Sequence, residues 1–167
     1  MLYALCGVSS VGKTTLLRAI LHRRVDLGRL VTYTTRSLRP DEIDHVDYHF
    51  VSVPHFHAAV AAGQIVCPIQ YRQQWYGTSY DDLCACAERE TIAILRPDKL
   101  EELQRCTPTP LIGIAIVRPD PKQPVSNDDQ IILEAQSRCA YQVTNRCGEL
   151  DDAVTQILSI LQMHAGG

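Results

Sequence analysis

"GVSSVGKTT", residues 7–15, decides the fold of this chain. It holds a glycine, four further residues, then glycine, lysine and threonine, with Gly7 at its head and Gly12, Lys13 and Thr14 at its end. The glycines let the backbone curl until its N–H groups converge on phosphate oxygens, and the start of a helix adds positive potential. Lys13 reaches the outer phosphates and the Thr14 hydroxyl can ligate magnesium. The pattern carries this meaning only between a strand and a helix, and both flanks are present. Residues 2–6 form a continuous apolar run, and after Lys13 the residues Leu16, Leu17, Ile20 and Leu21 recur on one helical face. A plain glycine turn with one exposed lysine would need neither flank. Gly7, Ser9, Ser10, Val11, Gly12, Lys13, Thr14 and Thr15 are therefore the candidate nucleotide-binding residues.

The rest of the chain repeats the alternation. Residues 30–34 and 46–51 are expected strands around the polar "RSLRPDEID", and Ser52 caps a helix that tolerates Pro54 in its first turn and ends at Gly63. Residues 65–71 extend again. Ser79 with Asp82 opens a helix to about residue 90, and a buried strand follows at 91–95. A helix over 98–105, the strand "LIGIAIV" at 111–117, a three-proline loop over 118–127, a helix over 128–139, a strand at 141–144 and a helix over 150–163 complete the order. Alternating strands and helices predict an α/β chain with a mainly parallel sheet, and the glycine loop makes it a P-loop NTPase-type three-layer fold with a small subdomain.

At 167 residues the chain is expected to be one domain, with its core in about 1–31 and 90–167 and a second region in about 32–89. A net charge of -3 argues against a nucleic-acid or membrane surface. Of the sixteen basic residues only Lys13, Lys99 and Lys122 are lysines; coding composition explains most of that bias, so only arginines inside motifs count as functional candidates. Seven cysteines, an odd number without C-x-x-C spacing, suit a reduced, cytoplasmic setting. The apolar start reads as a strand and not as a signal peptide, and no run approaches a membrane span. His55 and His57, like Cys84 and Cys86, are two apart on expected helices and diverge, which disfavours a metal pair. Trp75 reads as packing.

The stretch "TYTTRSLRPDEIDHVDYHF", residues 32–50, adds Arg36 and Arg39. A kinase of a phosphorylated acceptor must hold two anions end to end, and such arginines supply a second set of donors. At this point the chain resembles the guanylate kinase family. The phosphate loop, "YTTRSLRP" with "VDYHFVS", "WYGTS" at residues 75–79 and the tail "YQVTNRCGELDDAV" fall in the family's order and nearly at its spacing. The resemblance implies ATP as phosphoryl donor, Mg2+ as the metal, and Arg36, Arg39, Tyr48 and Tyr76 on the acceptor phosphate. It further implies Thr32, Thr78 and Asp98 near the acceptor, Thr14 and Asp98 near the metal, and Asn145 beside the donor nucleotide.

Two departures stand out. The family's guanine-reading glutamate lies nine residues before its motif tyrosine, and the matching position is Cys67. A neutral thiol is a weak acceptor and cannot replace a carboxylate bonded to two ring N–H groups. Glu42 and Asp44 are the acids that could reach in instead. The family's arginine-rich lid is reduced to "RPDPKQPVSN", residues 118–127, with Arg118 and Lys122 only. The family arginine of the next helix matches Ile131, which leaves Arg138 as the nearest alternative. The expected catalytic residues are therefore Lys13, Arg36, Arg118 and Arg138. The leading expectation is an ATP-dependent kinase of a nucleoside or deoxynucleoside monophosphate with non-standard base specificity, acting as a monomer or homodimer with no nucleic-acid or membrane partner. A ribose bisphosphate-type sugar-phosphate kinase and a catalytically weak binding module are the alternatives.

Overall fold

The computed structural model describes residues 1–119 and 127–165. Its strands are β1 (Leu2–Cys6), β2 (Gly28–Arg29), β3 (Tyr33–Thr34), β4 (His49–Phe50), β5 (Ile65–Tyr71), β6 (Gln74–Ser79), β7 (Thr91–Ile94), β8 (Leu111–Val117) and β9 (Tyr141–Thr144). Its α-helices are α1 (Lys13–Arg23), α2 (Val53–Ala61), α3 (Tyr80–Ala85), α4 (Leu100–Cys106), α5 (Asn127–Ala135) and α6 (Leu150–His164). Most of the expected lid, including Lys122, lies outside the described residues.

A five-stranded sheet in the order β2-β7-β1-β8-β9, parallel throughout, forms the middle layer. Successive side chains of a strand point to opposite faces, and β1 serves both. Tyr3 and Leu5 pack with Leu16, Leu17 and Ile20 of α1 and Val154, Ile157 and Leu161 of α6. Leu2, Ala4 and Cys6 pack with Leu83, Leu100 and Leu103 of α3 and α4. Burial on both faces is why β1 reads as an unbroken apolar run. The Ser52 and Ser79 caps form as expected, their hydroxyls accepting from the N–H groups of His55 and Asp82 at 3.3 and 3.1 Å.

A second sheet, β4-β3-β6-β5, lies within residues 32–89, the region expected to bind the acceptor, with Phe56 and Ala59 of α2 packed beneath Ile65. Three expectations change here. The strand read at 30–34 keeps only β3 at its end, in the second sheet; β2 of the first sheet stops just before it at Arg29, and the chain crosses between the sheets over residues 30–32. The strand read at 46–51 shortens to β4, because Asp47 and a left-handed His45 (φ 62°) shape the preceding residues into a turn. The strand β6 was missed. It pairs antiparallel with β5 through a two-residue turn, Arg72 and Gln73, both at positive φ (48° and 62°). That is the primed turn hairpins favour, built without the Asn-Gly or Asp-Gly that normally announces it. The helix read to residue 90 ends at Ala85, since after Cys86 the polar run Glu88–Glu90 offers no apolar face.

Buried Asp47 ties the two regions together. It accepts from Arg18 of α1 (3.1 Å), Arg29 of β2 (3.3 Å) and the Ile43 N–H (3.0 Å). Burial raises its pKa, but the Ile43 N–H and the two arginines more than offset this and hold it low. Asp47→Ala leaves Arg29 with half its partners and should cost about 2–3 kcal/mol, read as a lower urea midpoint. A depressed carboxylate stabilises the fold above its unfolded pKa. The difference between parent and variant should therefore shrink as pH falls below about 4. A pH-independent difference would remove the ion-pair explanation.

Candidate active site

The phosphate loop leaves β1 and enters α1. Gly12 sits at φ 93°, and a Cβ there would collide with the Asn145 side chain; at Gly7 (φ 150°) a Cβ would lie 2.7 Å from the Ile116 carbonyl. Only glycine fits either position. Ser10, not a glycine, also adopts a left-handed φ of 67°, strain of the kind kept at ligand sites. Lys13 Nζ donates to the Gly7 and Val8 carbonyls, each at 2.7 Å, so the ammonium is folded over the loop. Asn145 braces the loop from behind, its Nδ2 donating to the Val11 carbonyl at 2.8 Å.

The opposite wall comes from β3, β5 and β6. Arg36 forms a fork with Glu42, both bonds 2.8 Å, and its guanidinium lies 5.3 Å from the Tyr48 ring centre. The Arg36 N–H is fixed by buried Thr34 Oγ at 3.2 Å. Tyr48 stands edge-on to Tyr76, with centroids 6.1 Å apart, and Tyr76 stands edge-on to Tyr71 at 6.3 Å. Tyr71 closes the circuit, since its hydroxyl lies 3.0 Å from Ser9 Oγ of the phosphate loop.

One cavity of about 540 Å3 joins these walls. Gly7, Ser9, Ser10, Gly12, Lys13, Thr14 and Thr15 line it from the loop, and Thr32, Arg36, Arg39, Tyr48, Cys67, Tyr76 and Thr78 from the other side. Val11 is buried and Asn145 supports it, so both shape the loop without lining the cavity. Asp98, expected near the metal, directs both carboxylate oxygens to Arg96 at 2.9 and 3.0 Å and does not line the cavity. Arg138 is exposed on a 3-10 turn after α5, 3.9 Å from Glu101. Arg118 is exposed just beyond β8. Neither arginine lines the cavity.

The acids weighed as substitutes at Cys67 are committed as well. Glu42 lines the cavity but holds Arg36, which also keeps its carboxyl below the usual range. Asp44 accepts from the His45 and Phe50 N–H groups at 2.9 and 3.0 Å, bracing its own loop. Cys67 is buried at φ 50°, where the pairing of β5 with β6 shifts register. Burial, reinforced by Glu102, pushes its thiol up, so it stays neutral. Trp75 packs against Phe56 and His57, as its reading anticipated.

Tyr71, Arg72 and Arg96 also line the cavity and were not singled out from sequence. For Arg96 a signal was available. It follows a buried strand of the parallel sheet, and the carboxyl edge of such a sheet is where ligands bind.

The donor set suits magnesium in part. Thr14 is exposed into the cavity, and one hydroxyl completed by phosphate oxygens and water is a normal surrounding for this ion, whereas the Asp98 carboxylate is taken by Arg96. Among the described residues no cluster of three or more His, Cys, Asp or Glu could hold a metal alone. No helix among them is long and apolar enough to cross a membrane.

Burial lowers the pKa of Lys13 to about 8, with Cys6 and Asp129 opposing the shift. A bound polyphosphate favours the ammonium, so binding takes up a proton wherever free Lys13 is partly neutral. Triphosphate affinity should fall as pH rises above about 8, by up to about tenfold per unit. Calorimetric titrations near that pH, in two buffers of different ionisation enthalpy, should report proton uptake that Lys13→Met removes.

The fold and this cavity define an α/β protein of the P-loop type, with arginine and tyrosine side chains facing the loop. The family model described as guanylate kinase matches residues 1–145, and the chain belongs to that family. The guanylate kinase of Thermosynechococcus vestitus is 46% identical over 77 residues, 46% of this chain and 40% of that protein. The guanylate kinase of Salinibacter ruber is 43% identical over 75 residues, 44% and 40% of the two chains. The match thus spans about two fifths of each relative's length. Among solved structures, guanylate kinase from Anaplasma phagocytophilum shares the fold with a TM-score of 0.78 at 17% identity, over 100% of this chain and 86% of that one. Shikimate kinase from Aquifex aeolicus shares it more loosely, at 0.51 and 16% identity over the whole of both chains.

Proposed function

We propose that the protein is an ATP-dependent kinase that transfers the γ-phosphoryl group to a nucleoside or deoxynucleoside monophosphate, with weak selectivity for the base. One observation carries this reading: a single cavity lined on one side by a complete phosphate loop and on the other by Arg36, Arg39, Tyr48 and Tyr76. Lys13 and the loop N–H groups hold the donor, and guanidinium and phenol donors hold the acceptor phosphate. Thr14 would take the magnesium, which neutralises phosphate charge when bound. An acceptor phosphate oxygen attacks the γ-phosphorus and the bond to the β–γ bridging oxygen breaks. The acceptor is already anionic at neutral pH, so no general base is required.

Weak base selectivity follows from Cys67, Thr32 and Thr78, which offer hydroxyls and a neutral thiol to the acceptor and no free carboxylate. A thiol in place of a base-reading carboxylate also favours one second reading, a ribose bisphosphate-type acceptor with no base to read. Steady-state kinetics with ATP, magnesium and a panel of nucleoside monophosphates plus ribose 1,5-bisphosphate separates the two. Turnover of several monophosphates with similar kcat/KM supports the first reading. Turnover of the sugar phosphate alone supports the second, a strong preference for guanosine monophosphate removes the specificity argument, and turnover of none rejects both.

A further inference from the structure

Arg96 leaves the end of β7 and enters the cavity wall. Its Nε and Nη2 donate to Asp98, which fixes the plane of the guanidinium. Its Nη1 is buried and has no hydrogen-bond partner, the one such side-chain atom among the described residues. It stands 4.0 Å from Asp128 Oδ1, close enough for an ion pair but beyond hydrogen-bond reach. An unsatisfied buried donor costs about 1–3 kcal/mol, and more when charged, so its retention asks for an explanation.

Position supplies one. A line of contacts runs from Ser9 of the phosphate loop through Tyr71, Tyr76 and Tyr48 to Arg36. Tyr71 stands at the phosphate-loop end of this line, before the acceptor-side donors. The Arg96 guanidinium carbon lies 5.5 Å from the Tyr71 ring centre and that of Arg72 5.2 Å. Tyr71 is held by its own donation to Asp129 at 3.0 Å, so Ser9 donates to the Tyr71 oxygen. Arg72 is bound to the same Asp129 at 3.2 Å and half-exposed, whereas Arg96 is oriented, shielded from water and left with both N–H bonds of its Nη1 unpartnered.

We propose that Arg96 is a catalytic residue: its Nη1 binds an equatorial oxygen of the phosphoryl group in transit and fills the place that Arg118 and Arg138 do not. This rests on the kinase reading above. The bonds made and broken are those already described, and Arg96 adds only a fixed positive charge where charge develops. Asp98 acts through Arg96 as a positioning residue.

Three variants test this. Arg96→Met should lower kcat by about 100- to 1000-fold with the KM for ATP and for the acceptor within about threefold of the parent. Arg96→Lys, which keeps charge but loses the fork, should recover only part of that loss. Asp98→Asn should lower kcat by less than Arg96→Met. The second readout is the fluorine NMR spectrum of the protein with ADP, magnesium, acceptor and aluminium fluoride. The parent should show bound fluoride resonances, and Arg96→Met should lose them while still binding ADP. Should Arg96→Met misfold, Arg96→Lys carries the same two readouts. An Arg96 variant that folds, with kcat within threefold of the parent and bound fluoride intact, overturns the inference and leaves the kinase reading standing. A parent that transfers no phosphoryl group to any acceptor overturns both.

Discussion

Lys13→Ala is expected to lower phosphoryl transfer by about 100- to 1000-fold, the magnitude of removing one preorganised donor from a transferring charge. The loop should survive the change. Its shape comes from Gly7, Gly12 and the Asn145 brace, none of which needs the lysine, whose own partners are two loop carbonyls. The effect on stability should even be favourable. Burial holds Lys13 near 8, so at neutral pH folding works against a charge the unfolded chain carries freely. Lys13→Ala should therefore melt no lower than the parent at neutral pH while losing activity. A variant that retained activity within threefold would remove the phosphate loop from the mechanism. One that lost activity only by unfolding would leave the role of Lys13 unproved.

The second large effect is expected at Arg36. Arg36→Ala should lower kcat/KM for the acceptor by about 100-fold with little change in the KM for ATP, because Arg36 faces the acceptor wall and not the loop. Part of that loss comes from Glu42. With its fork gone, this carboxylate, now only 10% exposed, would face the incoming phosphate and repel it. The double variant Arg36→Ala with Glu42→Gln should therefore bind the acceptor better than Arg36→Ala alone, a coupling that a double-mutant cycle measures directly. Strict additivity would place Glu42 outside the acceptor site.

The core of this fold is legible in the sequence because two strong physical patterns coincide. An apolar run buried on both faces, a glycine loop and an amphipathic helix leave β1 and α1 little choice, and "LIGIAIV" fixes β8 in the same way. The second sheet is less legible. The strands β3 and β4 have two residues each, too short to show a pattern, and β3 owes its place to pairing with the distant β6. The β5–β6 turn is made by Arg72 and Gln73, residues with no turn signature. The site divides similarly. Loop residues and Arg36 announce themselves by spacing, but Tyr71 and Arg96 acquire meaning only when the hairpin brings one beside Ser9 and the other beneath its ring. Asp98 illustrates the converse. A carboxylate at a suggestive position was claimed by an arginine two residues away, which sequence spacing alone does not reveal.

The central claim, that one cavity holds two phosphate groups and passes a phosphoryl group between them, is tested most directly by following the label. ATP carrying a labelled γ-phosphate is incubated with the purified protein, magnesium and each nucleoside monophosphate in turn, and the products are separated. The account predicts that the label appears in a nucleoside diphosphate and that Lys13→Ala and Arg36→Ala each suppress its transfer. Label found only as inorganic phosphate, or retained in ATP with every acceptor, would contradict it.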